Sequence, residues 1–301
     1  GPTHSTSVRL SAELGIRPRE QVTCSGKTEV GPQTFYCWKR DGHGRMDMEA
    51  ALVESCDTWY YEMSQRIGPE KMSEVAGRLG FGDRLMIDVA GETRGVVPNE
   101  NWKRNSLGQS WFDGDTVQAS IGQGYVLTTP LQLATMTARI ANGGRAVRPH
   151  LIVPDLLYPA EDLGFKAEHL EIVRRAMDRV TNTDQGTAYR YTQVEEPSLR
   201  IAGKTGTAQV ARLSVGERLR MLEDVRSLDY DRRNHALFVG YGPVKNPRYA
   251  CAVIIEHGDS GGRSAGPVVL DLLQAAIVGN SGGQPNMVND RYNLVGRNDE
   301  A

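Results

Sequence analysis

Three groups of residues in this sequence have types and spacing that could do chemistry. The first is Lys204-Thr205-Gly206-Thr207, inside the stretch RIAGKTGTAQV. A cation and two hydroxyls surround a residue with no side chain, in a run predicted to be a strand. Gly206 would let a ligand approach the backbone closely. Lys204 would then offer a positive charge to a carboxylate. Thr205 and Thr207 would donate hydroxyl hydrogen bonds, and the Thr207 backbone would help polarise a carbonyl. A solvated hairpin lysine beside a bulge glycine gives the same pattern, and from this stretch alone the two readings weigh equally.

The second group is Ser55-Cys56-Asp57, in VESCDTWYY. A serine and an acid two residues apart on a helix can line a cleft together, the serine relaying protons and the acid orienting a partner. Capping pairs and surface pairs look alike at this level. The third group is Cys24, Cys37, His43 and Cys56, separated by 13, 6 and 13 residues. Three thiolates and an imidazole suit a closed, tetrahedral structural zinc site. His43 stands between two glycines in DGHGR, where a tight turn would present its ring. A Cys24–Cys37 disulfide with Cys56 as a buried thiol is the other reading; zinc is preferred. Because Cys56 lies inside Ser-x-Asp, a metal here would pin that element to the preceding loop.

The elements that must position these groups follow from periodicity. MDMEAALVESCDTWYYEMSQRIG places Leu52, Trp59, Met63 and Ile67 at near-helical spacing, with Ser55 to Asp57 inside the same helical run. Further helices are predicted at PEKMSEVAGRLG, at TPLQLATMTARIANGG with a Thr129-Pro130 start, and at AEHLEIVRRAMDRVTN. LRIAGKTGTAQVA, HALFVGYGPV and RYACAVIIEHG read as strands, the last two joined by a hairpin through Pro243 to Pro247. SAGPVVLDLLQAAIVG closes as a helix, and residues 281–301 read as a polar, flexible tail. A mostly helical first half, then adjacent strands and a last helix, predicts an α+β fold with an antiparallel β-sheet flanked by helices.

Composition narrows the function classes. In 301 residues, 39% are hydrophobic and 24% charged, as in an ordinary globular protein. A formal net charge of -2 argues against a nucleic-acid partner. Four cysteines are too few for a disulfide scaffold at this length. Cys251 is expected in the core of its strand. His257 is expected in a turn, His235 as a satisfied structural residue and His169 on a helix surface. The charged segment Glu217 to Arg233 is expected to be a solvated helix.

The serine-acid element and the Lys-Thr-Gly strand stand in the order of the penicilloyl serine transferase signatures, S-x-x-K, S-x-N or a variant, and K-[ST]-G. Longer stretches agree: GDTVQASIGQGYVLTTPLQLATMTARIANGG, IAGKTGTAQV and HALFVGYGPVKNPRYACAVIIEHG. From about Glu13 to Asn280 the sequence resembles the transpeptidase domain of the penicillin-binding protein 2 subfamily, the class B enzymes of cell elongation.

That resemblance implies the serine β-lactamase/D,D-peptidase-like transpeptidase fold over residues 1–280. It implies a serine acyl-enzyme that cross-links D-alanyl-D-alanine stem peptides and is acylated by β-lactams. Ser55, Asp57 and Lys204 would be catalytic, with Asp57 replacing the more general Asn. Thr205, Gly206 and Thr207 would bind substrate, and Gly122-Gln123-Gly124 would border the cleft. Enteric members resemble this chain in having a metal site beside the same motif. The implied setting is the inner membrane, with the domain on the periplasmic side among elongation-machinery proteins including a glycosyltransferase.

The first signature departs from the family. Counting back along its helix puts the serine near Gly1 and the lysine near His4. Ser5, Ser7 and Ser11 are followed three residues later by Val8, Leu10 and Leu14, and the nearest cation to Ser5 is Arg9, which cannot serve as a base. The expectation is that this sequence begins inside or just after the catalytic helix. The alternatives are a binding module that keeps the cleft without chemistry, and a serine β-lactamase.

Overall fold

The computed structural model describes residues 15–88, 90–152, 160–210 and 229–279. Ser5, Ser7 and Ser11, residues 217–228 of the charged segment and the tail at 281–301 lie outside the described residues.

The first half is less helical than expected. It begins with four short strands, β1 (Val22–Cys24), β2 (Lys27–Val30), β3 (Gln33–Tyr36) and β4 (Gly44–Met46). They form two antiparallel pairs, β1 with β4 and β2 with β3. Strands of three or four residues are too short to show an alternating pattern, so periodicity missed them. Their turns need glycine: a Cβ on Gly42, at φ +79°, would sit 2.2 Å from the Cys24 carbonyl oxygen.

The long helix expected across Ser55 is two helices, α1 (Met48–Val53) and α2 (Asp57–Ile67). Asp47 starts α1 by accepting the Ala50 N–H at 2.9 Å. The break is at Ser55, whose φ is +55°. The Cys56 N–H donates to the Ala51 carbonyl at 2.9 Å, the wrap of a helix C-terminus with a left-handed residue just past its end. Helical spacing continues across the break because Leu52 of α1 and Trp59, Met63 and Ile67 of α2 all enter one core, which is why the sequence concealed it.

Next come α3 (Pro69–Leu79), α4 (Glu100–Leu107), α5 (Asp113–Ser120), α6 (Pro130–Ala141), α7 (Ala167–Asn182) and the single turn α8 (Tyr189–Thr192). Thr129 and Gln132 cap α6 reciprocally: the Gln132 N–H donates to Thr129 Oγ1, and the Thr129 N–H donates to Gln132 Oε1. His169 is buried rather than on the helix surface. It falls on the Val173, Ala176 and Val180 stripe of α7, one turn before Val173.

The three predicted strands are present as β5 (Ala202–Ala208), β6 (His235–Gly242) and β7 (Tyr249–Ile255), followed by α9 (Gly266–Gly279). They form one antiparallel sheet in the order β5-β6-β7. Central β6 is buried on both faces. Leu237, Val239 and Tyr241 join the core with Met136 and Ile140 of α6 and Val173 and Met177 of α7. Ala236 and Phe238 pack with Val269, Leu270 and Leu273 of α9 on the other face. The α+β fold is therefore the expected one. Register then places the chemistry: Lys204 lies opposite Val239, on the α6–α7 face, and Thr205 lies opposite Phe238, toward α9.

Candidate active site

Strand β5 and the α1–α2 break meet at one point. Lys204 Nζ donates to Ser55 Oγ at 2.5 Å across a sequence separation of 149. It also lies 3.1 Å from the Thr205 carbonyl oxygen and 3.3 Å from Thr205 Oγ1. Lys204 is fully buried, not an open surface cation. Burial pushes its ammonium down to about 7, while the charge of Asp57 acts in the opposite direction. A lysine in that state can release and take up a proton near neutral pH, and Ser55 is the hydroxyl in reach.

Ser55 is placed by strain as well as by contact. A left-handed backbone costs a non-glycine residue roughly 1–2 kcal/mol, and here it turns the hydroxyl out of the helix toward β5. Trp38 clamps the break from outside. Its backbone N–H donates to Asp57 Oδ2 at 3.0 Å, and its indole N–H donates to the Glu54 carbonyl at 3.1 Å. Asp57 opens the first turn of α2, where a negative charge suits the helix dipole. Sequence reasoning missed Trp38, since nothing in its neighbourhood marks it as a partner of a residue 19 positions away.

The Gly122-Gln123-Gly124 loop reaches the same strand. Gln123 Nε2 donates to the Thr207 carbonyl at 3.0 Å. The two glycines have φ of +74° and +68°, which frees the loop to turn there.

The four expected metal ligands also converge. Cys24, Cys37, His43 and Cys56 have ligand atoms within 4.8 Å of one another, and all three cysteines are free and buried. His43 Nδ1 lies 3.6 Å from Cys24 Sγ and 3.5 Å from Cys37 Sγ. Bond lengths of ~2.3 Å to sulfur and ~2.0 Å to nitrogen, at a tetrahedral angle, set N and S about 3.5 Å apart. The residues therefore fit a metal ion.

The four groups share protons unequally. Hydrogen bonding from the Cys56 thiol draws Cys37 down to about 4 against the effect of burial, and His43 adds to the pull. The same pairing pushes Cys56 up. Burial opposes charge on His43, but hydrogen bonds to Cys37 and Cys24 outweigh it and raise the imidazole. Cys24 and Cys37 are drawn toward thiolate while Cys56 and His43 hold protons that a bound cation would displace. His43 Nε2 is buried with no hydrogen-bond partner among the described residues.

The penicillin binding protein transpeptidase domain family matches residues 10–274. The chain belongs to that family. Within this transpeptidase domain, the structure brings together Ser55-Cys56-Asp57 and Lys204-Thr205-Gly206, 149 residues apart in sequence. The peptidoglycan D,D-transpeptidase MrdA of Acinetobacter baumannii is 36% identical over 241 residues, which are 77% of this chain and 34% of that protein. The chain thus spans about a third of that relative.

Solved structures place the transpeptidase domain in the same company. PBP2 of Pseudomonas aeruginosa, in complex with WCK 5153, has a TM-score of 0.79 and 31% identity, covering 95% of this chain and 61% of that one. PBP2 of Helicobacter pylori, in complex with MreC, also has a TM-score of 0.79 and 31% identity, covering 92% and 48%.

Cys251, expected in the core, is half-buried on β7 and packs at the edge of the α9 cluster. His257 is in a turn, at φ +54°, and donates its backbone N–H to His235 Nδ1 at 3.0 Å. Both histidines are structural, as expected.

Proposed function

We propose that this chain is the catalytic domain of an elongation-type peptidoglycan D,D-transpeptidase. A serine oxygen attacks the carbonyl of the penultimate D-alanine in a stem peptide. The terminal peptide bond breaks and D-alanine leaves with the proton. An amine of a neighbouring strand then displaces the serine, forming the cross-link and returning the proton. The serine is that of a Ser-x-x-Lys signature, which these 301 residues do not contain. Ser55 relays protons, Lys204 tunes Ser55, and Thr205 and Thr207 hold the substrate carboxylate beside Gly206. The observation that carries this reading is the Ser55–Lys204 contact, which joins two signatures far apart in sequence.

In the same reading residues 1–280 form one transpeptidase unit, and the four-ligand cluster holds structural zinc, which ties the loop bearing Cys37 and Trp38 to the Ser55 break. The ion's chemistry is structural, since all four of its positions are filled by protein. The domain works on the periplasmic side of the inner membrane; no helix among the described residues is long and apolar enough to cross it. Its partners are elongation-machinery proteins including a glycosyltransferase, a reading supported by the PBP2–MreC complex of the Helicobacter pylori relative. β-Lactams are its covalent inhibitors.

Intact mass under denaturing conditions, after incubation with a β-lactam, tests the chemistry. One adduct per molecule is expected when the chain is extended to carry Ser-x-x-Lys. Ser55→Ala or Lys204→Met is expected to slow its formation by about 10²–10³-fold. An extended, folded chain that gains no mass would sink the reading. An adduct on the present sequence would move the nucleophile to one of its own serines.

A further inference from the structure

Thr205 is not alone beside Lys204. Thr187 Oγ1 lies 2.9 Å from Thr205 Oγ1, and Lys204 Nζ lies 3.3 Å from the same oxygen. A hydroxyl has one hydrogen to donate and two lone pairs to accept with. An amine or ammonium hydrogen from Lys204 can fill one lone pair of Thr205. When Thr187 donates, it fills the second. The single Thr205 hydrogen is then left over for a ligand.

Thr187 is held where it can do this. It follows α7, whose end is tied to the start of β5: Thr181 Oγ1 and Asn182 Nδ2 both donate to the Ile201 carbonyl, at 2.7 and 2.9 Å. Gly186 lies so close to α7 that a Cβ would come within 2.2 Å of the Val180 carbonyl oxygen. The Ala188 N–H donates to that same oxygen at 3.1 Å. From the other side Gly262 presses in, where a Cβ would lie 2.7 Å from the Thr187 carbonyl oxygen. Two glycines and a helix end thus fix the backbone of one threonine against the substrate strand.

We infer that Thr187 is a positioning residue for substrate recognition: its hydroxyl, with Lys204, occupies the acceptor sites of Thr205 and directs the Thr205 hydrogen at the C-terminal carboxylate of the stem peptide. The inference rests on the carboxylate-binding reading of β5 proposed above. Without a ligand either hydroxyl of the pair can be the donor; with the carboxylate bound, Thr187 donates to Thr205 and Thr205 donates to the carboxylate. Thr187 touches no reacting atom; it acts through Thr205.

The test uses diacetyl-L-Lys-D-Ala-D-Ala and its C-terminal amide as probes, with affinities for this chain read by NMR titration. The unsubstituted chain is expected to prefer the acid over the amide by about tenfold, the worth of one hydrogen bond to a charged group. Thr187→Val keeps the shape and is expected to bring that ratio to within twofold. Thr187→Ser is expected to restore it. If Thr187→Val keeps the full preference, or if Thr187→Ser loses it as Val does, the inference is overturned, because packing rather than the hydroxyl is then at work. Should Thr187→Val not fold, Thr187→Ala against Thr187→Ser reads the same ratio. An unsubstituted chain that binds both probes equally overturns the underlying carboxylate reading instead, so the two failures are distinct.

Discussion

Lys204 Nζ meets Ser55 Oγ at 2.5 Å, joining an edge strand to the break between two helices. That contact removes a cation from water and gives it a hydroxyl, and the consequences for pH, stability and ligand binding can each be measured.

The first concerns pH. Burial holds Lys204 at about 7 in the folded chain against the ordinary lysine value of 10.5. Between those values the unfolded chain binds the extra proton and the folded chain does not. Stability therefore rises with pH through that window, and the penalty for burying the charge is present in full below it. At 1.36 kcal/mol per unit the rise is at most about 4–5 kcal/mol. Urea unfolding from pH 7 to 10 is expected to show this slope in the unsubstituted chain and to lose it in Lys204→Met. Parallel curves for the two would refute the assignment.

The second concerns the backbone at Ser55. Ser55→Gly and Ser55→Ala both remove the hydroxyl from Lys204, and they differ only in a Cβ at φ +55°. The glycine variant is expected to be more stable than the alanine variant by about 1 kcal/mol. Equal denaturation midpoints would mean that the break relaxes and does not impose the left-handed conformation.

The third concerns the cysteine cluster. Metal analysis of the purified chain is expected to find one zinc per molecule. Cys56→Ser should lose it, with a fall of about 3 kcal/mol, the stabilisation a ligand gives at a hundred times its Kd. In a chain of this size that is roughly 5–10 °C. Cys251→Ser, at a half-buried thiol outside the cluster, serves as the control and should keep both the metal and the melting temperature. A chain with no metal and an unchanged Cys56→Ser variant would return the cluster to ordinary buried thiols.

The fourth concerns a buried ion pair that the sequence did not suggest. Lys103 Nζ lies 2.6 Å from Asp115 Oδ2, with side-chain exposures of 3% and 16%. Asp115 also accepts the Phe112 N–H at the start of α5, at 2.9 Å. Asp115→Asn strands the lysine charge away from water and is expected to cost about 3 kcal/mol or more in denaturant unfolding. A change under 1 kcal/mol would show that Lys103 reaches solvent or another partner.

The sequence by itself determined the elements whose signals are local. Pro130 and the Thr129–Gln132 pair announce α6, apolar spacing announces α7, and β-branched runs announce β6 and β7. Residue types pointed to the four-residue cluster too, since three thiols and an imidazole have few other joint uses. Only the tertiary structure decided what these elements do together. A helical period cannot show that α1 ends at Ser55, because the apolar residues of both helices enter one core, and one positive φ leaves no trace in the pattern. It cannot show that Trp38 bridges Glu54 and Asp57, or that Thr187 faces Thr205, because those contacts depend on how β5 packs against α1, α2 and α7. Nor can it show that Lys204, which reads as a solvent-seeking cation, is sealed against a serine. Its ionisation is set by desolvation, a property of the packed chain and not of the residue.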